Sequence, residues 1–312
     1  MKAFAFVFPG QGAQGVGMLD AWGDHPAVRE VLAESAQALG EDLGRLIREG
    51  PAQALELTTN TQPVMLAAAV ACYRAWRAEG GAEPAALAGH SLGEYTALVA
   101  AGALTLSDAL PLVRFRAQAM QQAVPVGAGA MAAILGLEPS AVVQGCVQAA
   151  ADTGAVVSAA NFNDPKQTVI SGAKAAVDRA CEILKAAGAK RALPLSVSAP
   201  FHCALMRPAA DALRERLASV PITAPRIPVV NNIDVAAAGE PVAIRDALVR
   251  QAYGPVRWVE VVQALRARGL THVLECGPGK VLTGMVKRID SEAVTASVFD
   301  PASLRDAMGL LG

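Results

Sequence analysis

The stretch PAALAGHSLG, residues 84–93, decides the fold. Its apolar beginning, residues 84–88, predicts a strand, and the run from Leu92 to Ala101 predicts a helix. Between them lies a GxSxG turn centred on Ser91. Strand, sharp turn and helix together are the setting of a nucleophile elbow, where glycines leave room for a strained backbone and a helix N-terminus follows the serine. The alternative is a plain glycine-rich turn, but the context favours Ser91 as a nucleophile.

Strand-like and helix-like segments alternate on both sides of this turn. Such alternation predicts an α/β fold built on a parallel sheet. Thr105 to Asp108 resembles a capping box that opens one of the helices. The predicted strands are 3–8, 84–88, 227–230 and 271–275, and the predicted helices are 27–39, 41–48, 62–79, 92–101, 105–123, 205–219, 241–252 and 257–269.

The middle of the chain has a different character. Residues 124–130 contain glycine and proline, as expected where the chain crosses into another unit. The next segments, to residue 197, read as β-α-β-β-α-β, the order of a ferredoxin-like unit. We therefore predict a small subdomain of residues 124–195 inserted in a large subdomain of residues 1–123 and 196–312.

Composition limits the possible functions. The chain has 312 residues, 53% of them hydrophobic, which is enough for a large core, and its net charge of -1 gives no general attraction to nucleic acid or acidic membranes. No window of 18 apolar residues occurs and Pro9-Gly10 ends the first apolar run, so we expect neither a membrane span nor a signal peptide. Five cysteines without CxxC spacing favour reduced thiols, no metal site and a cytoplasmic location.

A serine nucleophile needs a base, and the chain has only four histidines. His90 adjoins Ser91, and neighbouring side chains usually diverge. His25 lies at a helix beginning and His272 inside a predicted strand. His202 follows a predicted strand and precedes a helix, where catalytic residues are commonly found. Elimination favours His202, against the alternative of an ordinary structural histidine.

Two further patterns bear on the site. An acid between serine and histidine would orient the base, and Asp164 is a candidate, with a backbone carbonyl as the alternative. Residues 10–15 match GxGxxG, but the segment after them reads as helix where a dinucleotide fold needs a second strand. We reject nucleotide binding there, and the loop can instead supply a backbone N–H to an oxyanion. Residues 277–281 lack the spacing of a P-loop.

Several separated motifs, in order, carry a family resemblance. They are Gly10-Gln11-Gly12-Ala13-Gln14, Thr61-Gln62-Pro63, Gly89-His90-Ser91-Leu92-Gly93-Glu94-Tyr95, Asn161-Phe162-Asn163, Phe201-His202, Val230-Asn231-Asn232 and Glu275-Cys276-Gly277-Pro278-Gly279-Lys280-Val281-Leu282. Over nearly the whole chain, the sequence resembles the malonyl-CoA:acyl carrier protein transacylases of type II fatty acid synthesis.

This resemblance implies a hydrolase-like large subdomain that carries a ferredoxin-like small one, with the substrate in the cleft between them. It implies that Ser91 becomes malonylated and that His202 is the general acid and base. The oxyanion would be bound by the backbone N–H groups of Gln11 and Leu92. Arg116 would hold the malonyl carboxylate, for which a guanidinium offers a planar fork.

The remaining implied site residues have weaker signals. Gln62, Asn161 and His90 are expected to line the substrate site. The position of Gly254 often carries asparagine in the family, where its backbone carbonyl orients the histidine, and glycine retains that carbonyl. No cofactor is implied.

Malonyl-CoA and an acyl carrier protein are the implied partners, and we expect a monomer. Because the carrier is acidic in this family, exposed basic residues are docking candidates. They are Lys190, Arg191, Arg207, Lys280, Lys287 and Arg288. The alternatives are a serine esterase or thioesterase, a carrier-binding scaffold without activity, and a transacylase that serves a polyketide carrier or a branched extender unit.

Overall fold

A computed structural model describes residues 2–312 of the chain. These residues form nine strands: β1 (Phe4–Phe8), β2 (Ala86–Gly89), β3 (Gly129–Leu135), β4 (Val157–Asp164), β5 (Gln167–Ala173), β6 (Arg191–Pro194), β7 (Val229–Val230), β8 (His272–Cys276) and β9 (Val294–Val298).

The same residues form thirteen α-helices. They are α1 (Pro26–Leu39), α2 (Leu43–Glu49), α3 (Ala52–Glu56), α4 (Thr58–Ala78), α5 (Gly93–Ala100), α6 (Leu106–Gln122), α7 (Pro139–Thr153), α8 (Lys174–Ala186), α9 (Arg207–Ala218), α10 (Pro241–Tyr253), α11 (Trp258–Ala267), α12 (Val281–Ile289) and α13 (Pro301–Leu311). None of them combines the length and the apolar character that a bilayer crossing needs.

The larger sheet is parallel and has the strand order β7-β2-β1-β8-β9. Its central strand, β1, is buried at every position, as expected where helices cover both faces. Phe4, Phe6 and Phe8 pack into one core cluster with α4 and α5, whereas Ala5 and Val7 pack into the other with α11 and α12. The parallel pairing of β1 with β2 places Phe8 opposite Gly89 and brings the carboxyl ends of the two strands side by side.

The smaller sheet is antiparallel and has the order β4-β5-β3-β6. One of its faces packs on α7 and α8 through residues such as Ile134 and Leu184. Met131, on the other face, joins the core of the larger unit. The predicted β-α-β-β-α-β unit and the two-sheet α/β class are confirmed. The residue limits of the two subdomains stay a prediction.

Candidate active site

The turn between β2 and α5 holds Ser91 in a strained backbone conformation. Its φ is 52°, in the left-handed region that residues other than glycine seldom adopt. The flanking glycines are sterically required. A Cβ on Gly89 would lie 1.9 Å from the carbonyl carbon of Gly93, and one on Gly93 would lie 2.1 Å from the carbonyl oxygen of Phe8. Strain of this kind costs on the order of 1–3 kcal/mol and must be offset by surrounding contacts.

Asn232, just beyond β7, supplies two of those contacts. Its Oδ1 accepts a hydrogen bond from the Ser91 backbone N–H at 2.7 Å, and its Nδ2 donates to the Gly89 carbonyl at 2.7 Å. Asn232 is fully buried. One side chain therefore holds both ends of the serine turn and ties the turn to the neighbouring strand.

His202 lies within hydrogen-bond distance of the serine. Its Nε2 is 2.7 Å from Ser91 Oγ, and its Nδ1 is 2.9 Å from the Gln251 carbonyl oxygen. A carbonyl only accepts, so Nδ1 carries the proton and Nε2 of the neutral ring is free to accept from the serine hydroxyl. Burial first, and the Arg116 charge second, lower the pKa of His202 to about 3. The imidazole is therefore neutral near neutral pH, with Nε2 unprotonated and able to accept a proton.

The acceptor that bonds His202 Nδ1 was not indicated by the sequence, and the role expected for Gly254 stays a prediction. It is the carbonyl of Gln251, in the last turn of α10, that bonds Nδ1. Helix C-terminal carbonyls lack intrahelical partners, and the residue four positions after Gln251 is Pro255, which has no N–H to offer. The Gly254 carbonyl has a smaller effect, raising the pKa of His202 less than the Gln251 carbonyl does.

The expectation for Asp164, the candidate acid, is corrected. Its Oδ2 accepts from Arg288 Nε at 2.6 Å and its Oδ1 from the Lys166 backbone N–H at 2.8 Å. Asp164 ends β4 and makes no hydrogen bond with His202. The backbone-carbonyl alternative is therefore the one that the structure adopts.

Arg116, from α6, points into the same site. Its Nη2 donates to Ser91 Oγ at 3.2 Å and to Gln251 Oε1 at 3.1 Å, and its Nη1 donates to Gln62 Oε1 at 2.8 Å. The side chain is 2% exposed, and its guanidinium lies 5.4 Å from the centre of the Tyr95 ring. None of the salt bridges within residues 2–312 includes Arg116. It is a buried cation with neutral partners, and burial lowers its pKa.

Arg114, two positions earlier, points elsewhere as expected for a helix. It donates to Asn60 Oδ1 at 3.1 Å and to Glu41 Oε2 at 2.6 Å, on the other side of α6 from the serine. The two arginines therefore have separate environments, and only Arg116 reaches the reactive hydroxyl.

A cavity of about 150 Å³ joins these groups. The large unit contributes Gln11, Ser91, Arg116 and His202 to its wall, and the smaller sheet contributes Asn161. Residues of both units therefore line the space in front of the serine, as the expected cleft requires.

The two amides expected at the oxyanion both border the serine. Gln11 lines the cavity and Leu92 begins the turn into α5. Within residues 2–312, neither backbone N–H donates a hydrogen bond to the protein. The Gln11 side chain is fixed by Thr58 Oγ1, which donates to its Oε1 at 2.8 Å. Both N–H groups are thus left for another acceptor.

Two of the other expected lining residues, His90 and Asn161, also lie at this cavity. His90 Nε2 is 2.8 Å from Asn163 Oδ1, and burial lowers the pKa of His90. Asn161 is 7% exposed and pairs with Val256 in a short parallel bridge between the two units. Gln62 contacts Arg116 and not the cavity wall, so it reaches the site through the guanidinium.

Comparisons with known proteins show the family to which this chain belongs. Residues 5–301 match the family model of the acyl transferase domain. The malonyl CoA-acyl carrier protein transacylase of Escherichia coli K12 is 53% identical over 99% of this chain and 100% of that protein. The crystal structure of the acyl-carrier-protein S-malonyltransferase from Burkholderia pseudomallei 1710b is 66% identical, with a TM-score of 0.97, over 99% of this chain and 100% of that one.

This chain belongs to the malonyl CoA-acyl carrier protein transacylase family. It is therefore an acyltransferase, and the resemblance seen in the sequence motifs is confirmed. Another solved member of the transacylase family, a malonyl-transacylase in complex with its type II PKS acyl-carrier protein, is 49% identical with a TM-score of 0.97 and covers 99% of this chain and 100% of that one.

The sequence did not indicate Gln251 as a site residue of this transacylase. Its backbone carbonyl orients His202, while its side chain contacts the Ser91 carbonyl, Arg116 and Glu94. The only available signal was the Gly254-Pro255 pair that follows it, because Pro255 has no N–H to donate to the Gln251 carbonyl within the helix. Asn232 belonged to a quoted motif, but its contacts with the serine turn span 141 residues and have no local signature.

The six basic docking candidates of this transacylase are all exposed. Some have intramolecular partners: the Arg207 guanidinium lies 4.7 Å from the centre of the Tyr253 ring, and Arg288 pairs with Asp164. Their role toward a carrier protein stays a prediction.

Proposed function

We propose that this protein transfers the malonyl group of malonyl-CoA to the phosphopantetheine thiol of an acyl carrier protein, through a malonyl-Ser91 intermediate, in fatty acid biosynthesis. One observation carries the proposal. Ser91 Oγ lies 2.7 Å from His202 Nε2 and 3.2 Å from a buried guanidinium, that of Arg116. The first contact provides a nucleophile with its base, and the second provides a cation for an acyl group that ends in a carboxylate.

In the first half-reaction, Ser91 Oγ attacks the thioester carbonyl carbon while His202 Nε2 takes the hydroxyl proton. The oxygen of the resulting tetrahedral intermediate is bound by the N–H groups of Gln11 and Leu92, each worth about 3 kcal/mol by the usual measure of such donors. Collapse breaks the carbon–sulfur bond. His202 returns the proton to the coenzyme A thiolate, which leaves.

In the second half-reaction the roles reverse. The carrier thiol gives its proton to His202 as its sulfur attacks the malonyl-serine ester. The same two N–H groups bind the second oxyanion. Collapse breaks the bond to Ser91 Oγ, which regains its proton from His202. Because one product leaves before the second substrate reacts, the kinetics are ping-pong.

Arg116 supplies selectivity for the acyl group. A malonyl carboxylate gives the buried guanidinium an anionic partner, whereas an acetyl group leaves it with neutral partners only. His90 and Asn161 complete the wall of the cavity, so we assign them to substrate binding. A plain esterase or thioesterase has no need of a buried cation at this place.

The test is the intact mass of the protein after exposure to malonyl-, methylmalonyl- and acetyl-CoA in turn. We expect a covalent adduct with malonyl-CoA that Ser91→Ala abolishes. An adduct that persists in Ser91→Ala would contradict the assignment of the nucleophile. No adduct on the folded wild type would favour the inactive scaffold instead.

A second candidate partner is a polyketide carrier protein. The observation that favours it is the 49% identical malonyl-transacylase solved in complex with its type II PKS acyl-carrier protein. Comparing kcat/KM for a fatty acid carrier and a polyketide carrier distinguishes the two. The carrier with the higher value is the partner, and a salt-dependent KM would support docking through the exposed basic residues.

We further propose that the protein acts as a monomer in the cytoplasm. Every group named in the mechanism comes from a single chain, and the five cysteines are all free thiols, which fits a reducing compartment. Light scattering with the active protein tests the first statement, and cell fractionation tests the second.

A further inference from the structure

Glu94 is a buried carboxyl for which the proposed mechanism has no use. It lies in the first turn of α5, three residues after Ser91, and is 2% exposed. Its Oε2 accepts two hydrogen bonds, from the Asn232 backbone N–H at 2.9 Å and from Gln251 Nε2 at 3.0 Å. Burying a carboxyl is costly unless its contacts compensate, so the presence of Glu94 at this place needs an explanation.

Both partners hold the catalytic groups. Asn232 fixes the backbone of Ser91, and the Gln251 carbonyl orients His202. The Gln251 side chain adds two more contacts: Nε2 donates to the Ser91 carbonyl at 3.0 Å, and Oε1 accepts from Arg116 Nη2 at 3.1 Å. One residue therefore contacts the serine, the histidine and the arginine, and Glu94 contacts that residue.

The chemistry of an amide makes the orientation of Gln251 matter. With its NH₂ group toward Glu94 and the Ser91 carbonyl, both acceptors are satisfied and the amide oxygen faces the guanidinium of Arg116. The flipped amide would place its oxygen against two acceptors and its NH₂ group against a cation. Glu94 is thus one of the two acceptors that select the orientation in which Arg116 is held beside Ser91.

We propose that Glu94 is a positioning residue that locks the side-chain amide of Gln251, and through it sets the place of the Arg116 guanidinium relative to Ser91 Oγ. This inference rests on the proposed function, since it assigns the setting of malonyl selectivity to Glu94. Burial raises the pKa of Glu94 to about 7. The role needs an acceptor at Oε2 and no charge, because a protonated carboxyl or a glutamine amide oxygen accepts the same two hydrogen bonds.

The experiment compares Glu94→Ala and Glu94→Gln with wild type in kcat/KM for malonyl-CoA and for acetyl-CoA. Displacement of a positioned group can cost about 100-fold, so we expect Glu94→Ala to lower the malonyl value by about that factor and the malonyl-to-acetyl ratio by about 10-fold. Glu94→Gln should recover the ratio to within a few-fold.

Glu275 provides a matched control. It is another buried carboxyl, whose Oε2 accepts from the Thr283 backbone N–H at 2.8 Å and from its hydroxyl at 2.9 Å, with no contact to Gln251. Glu275→Ala should destabilise the protein and leave the malonyl-to-acetyl ratio unchanged. Thermal unfolding of all variants separates loss of stability from loss of selectivity.

Two outcomes would overturn the inference: an unchanged malonyl-to-acetyl ratio in Glu94→Ala, whether or not both activities fall, or a Glu94→Gln variant as impaired as Glu94→Ala. If Glu94→Ala does not fold, Glu94→Asp shortens the side chain by one methylene. An unchanged malonyl-to-acetyl ratio in Glu94→Asp would then overturn the inference. Wild type that forms no malonyl adduct would instead refute the proposed function.

Discussion

Replacing Arg116 with alanine tests how the site distinguishes malonyl from acetyl groups. The substitution removes the cation 3.2 Å from Ser91 Oγ and leaves the amide oxygens of Gln62 and Gln251 without their donor. Truncating one partner of a buried, hydrogen-bonded charge pair costs about 2–5 kcal/mol. A loss of about 3–4 kcal/mol in transition-state binding corresponds to roughly 10²–10³-fold in kcat/KM for malonyl-CoA.

The acetyl reaction lacks the carboxylate and should respond differently. Acetyl-CoA gains nothing from the guanidinium, so we expect its kcat/KM to change by less than about 10-fold. The assay measures transfer of radioactive acyl groups from each coenzyme A ester to a carrier protein.

Arg114→Ala is the matched control, since it removes an arginine from the same helix whose partners are Asn60 and Glu41. It should leave the malonyl-to-acetyl ratio at the wild-type value. Equal losses of the malonyl and acetyl activities in Arg116→Ala would refute the proposed role of Arg116.

Other predictions follow from single contacts. A Cβ on Gly254 would lie 2.4 Å from Ile233 Cδ1, so Gly254→Ala should destabilise the protein by about 1–3 kcal/mol in chemical denaturation, and unchanged stability would contradict the packing. Because the pKa of His202 is lowered to about 3 and only its neutral form is a base, kcat/KM should show no acidic limb from this group between about pH 5 and 7; a limb near the ordinary histidine value would argue against this. Asp164→Asn breaks the pair with Arg288, which should lower stability by about 1 kcal/mol and keep kcat within about twofold; a large fall in kcat would restore Asp164 as the orienting acid.

The predictable parts of the fold have strong local signals. The serine turn was recognisable because glycine at residues 89 and 93 is a steric requirement that any such turn imposes on the sequence. The ferredoxin-like unit was recognisable because its short strands and helices alternate with clear turns between them. In both cases the information lies within a few consecutive residues.

The last part of the fold had weaker signals. The elements α12, β9 and α13, all after residue 280, were not predicted. The strand β9 is only five residues long, lies at the edge of the sheet and is half-buried over its first three residues. It is held in the sheet by its parallel pairing with β8.

The support around the catalytic groups was also beyond sequence reasoning. Ser91 could be chosen because its turn has a recognisable pattern, and His202 could be chosen because the chain has only four histidines. Their orientation depends on Gln251 and Asn232, which contact the serine residue across 160 and 141 positions of the chain. The Gly254-Pro255 pair after Gln251 and the Val230-Asn231-Asn232 motif do not show what these two amides contact, so only the folded chain identifies their partners.

The most direct test is to isolate the acylated protein and to measure which acceptor receives its malonyl group. After incubation with malonyl-CoA and removal of the coenzyme, peptide mapping should locate the malonyl group on the peptide that contains Ser91. Adding the thiol-bearing carrier protein should then move that group to the carrier much faster than buffer alone hydrolyses it. An adduct on another residue, or an adduct released to water as fast with the carrier as without it, would contradict transfer through a malonyl-serine.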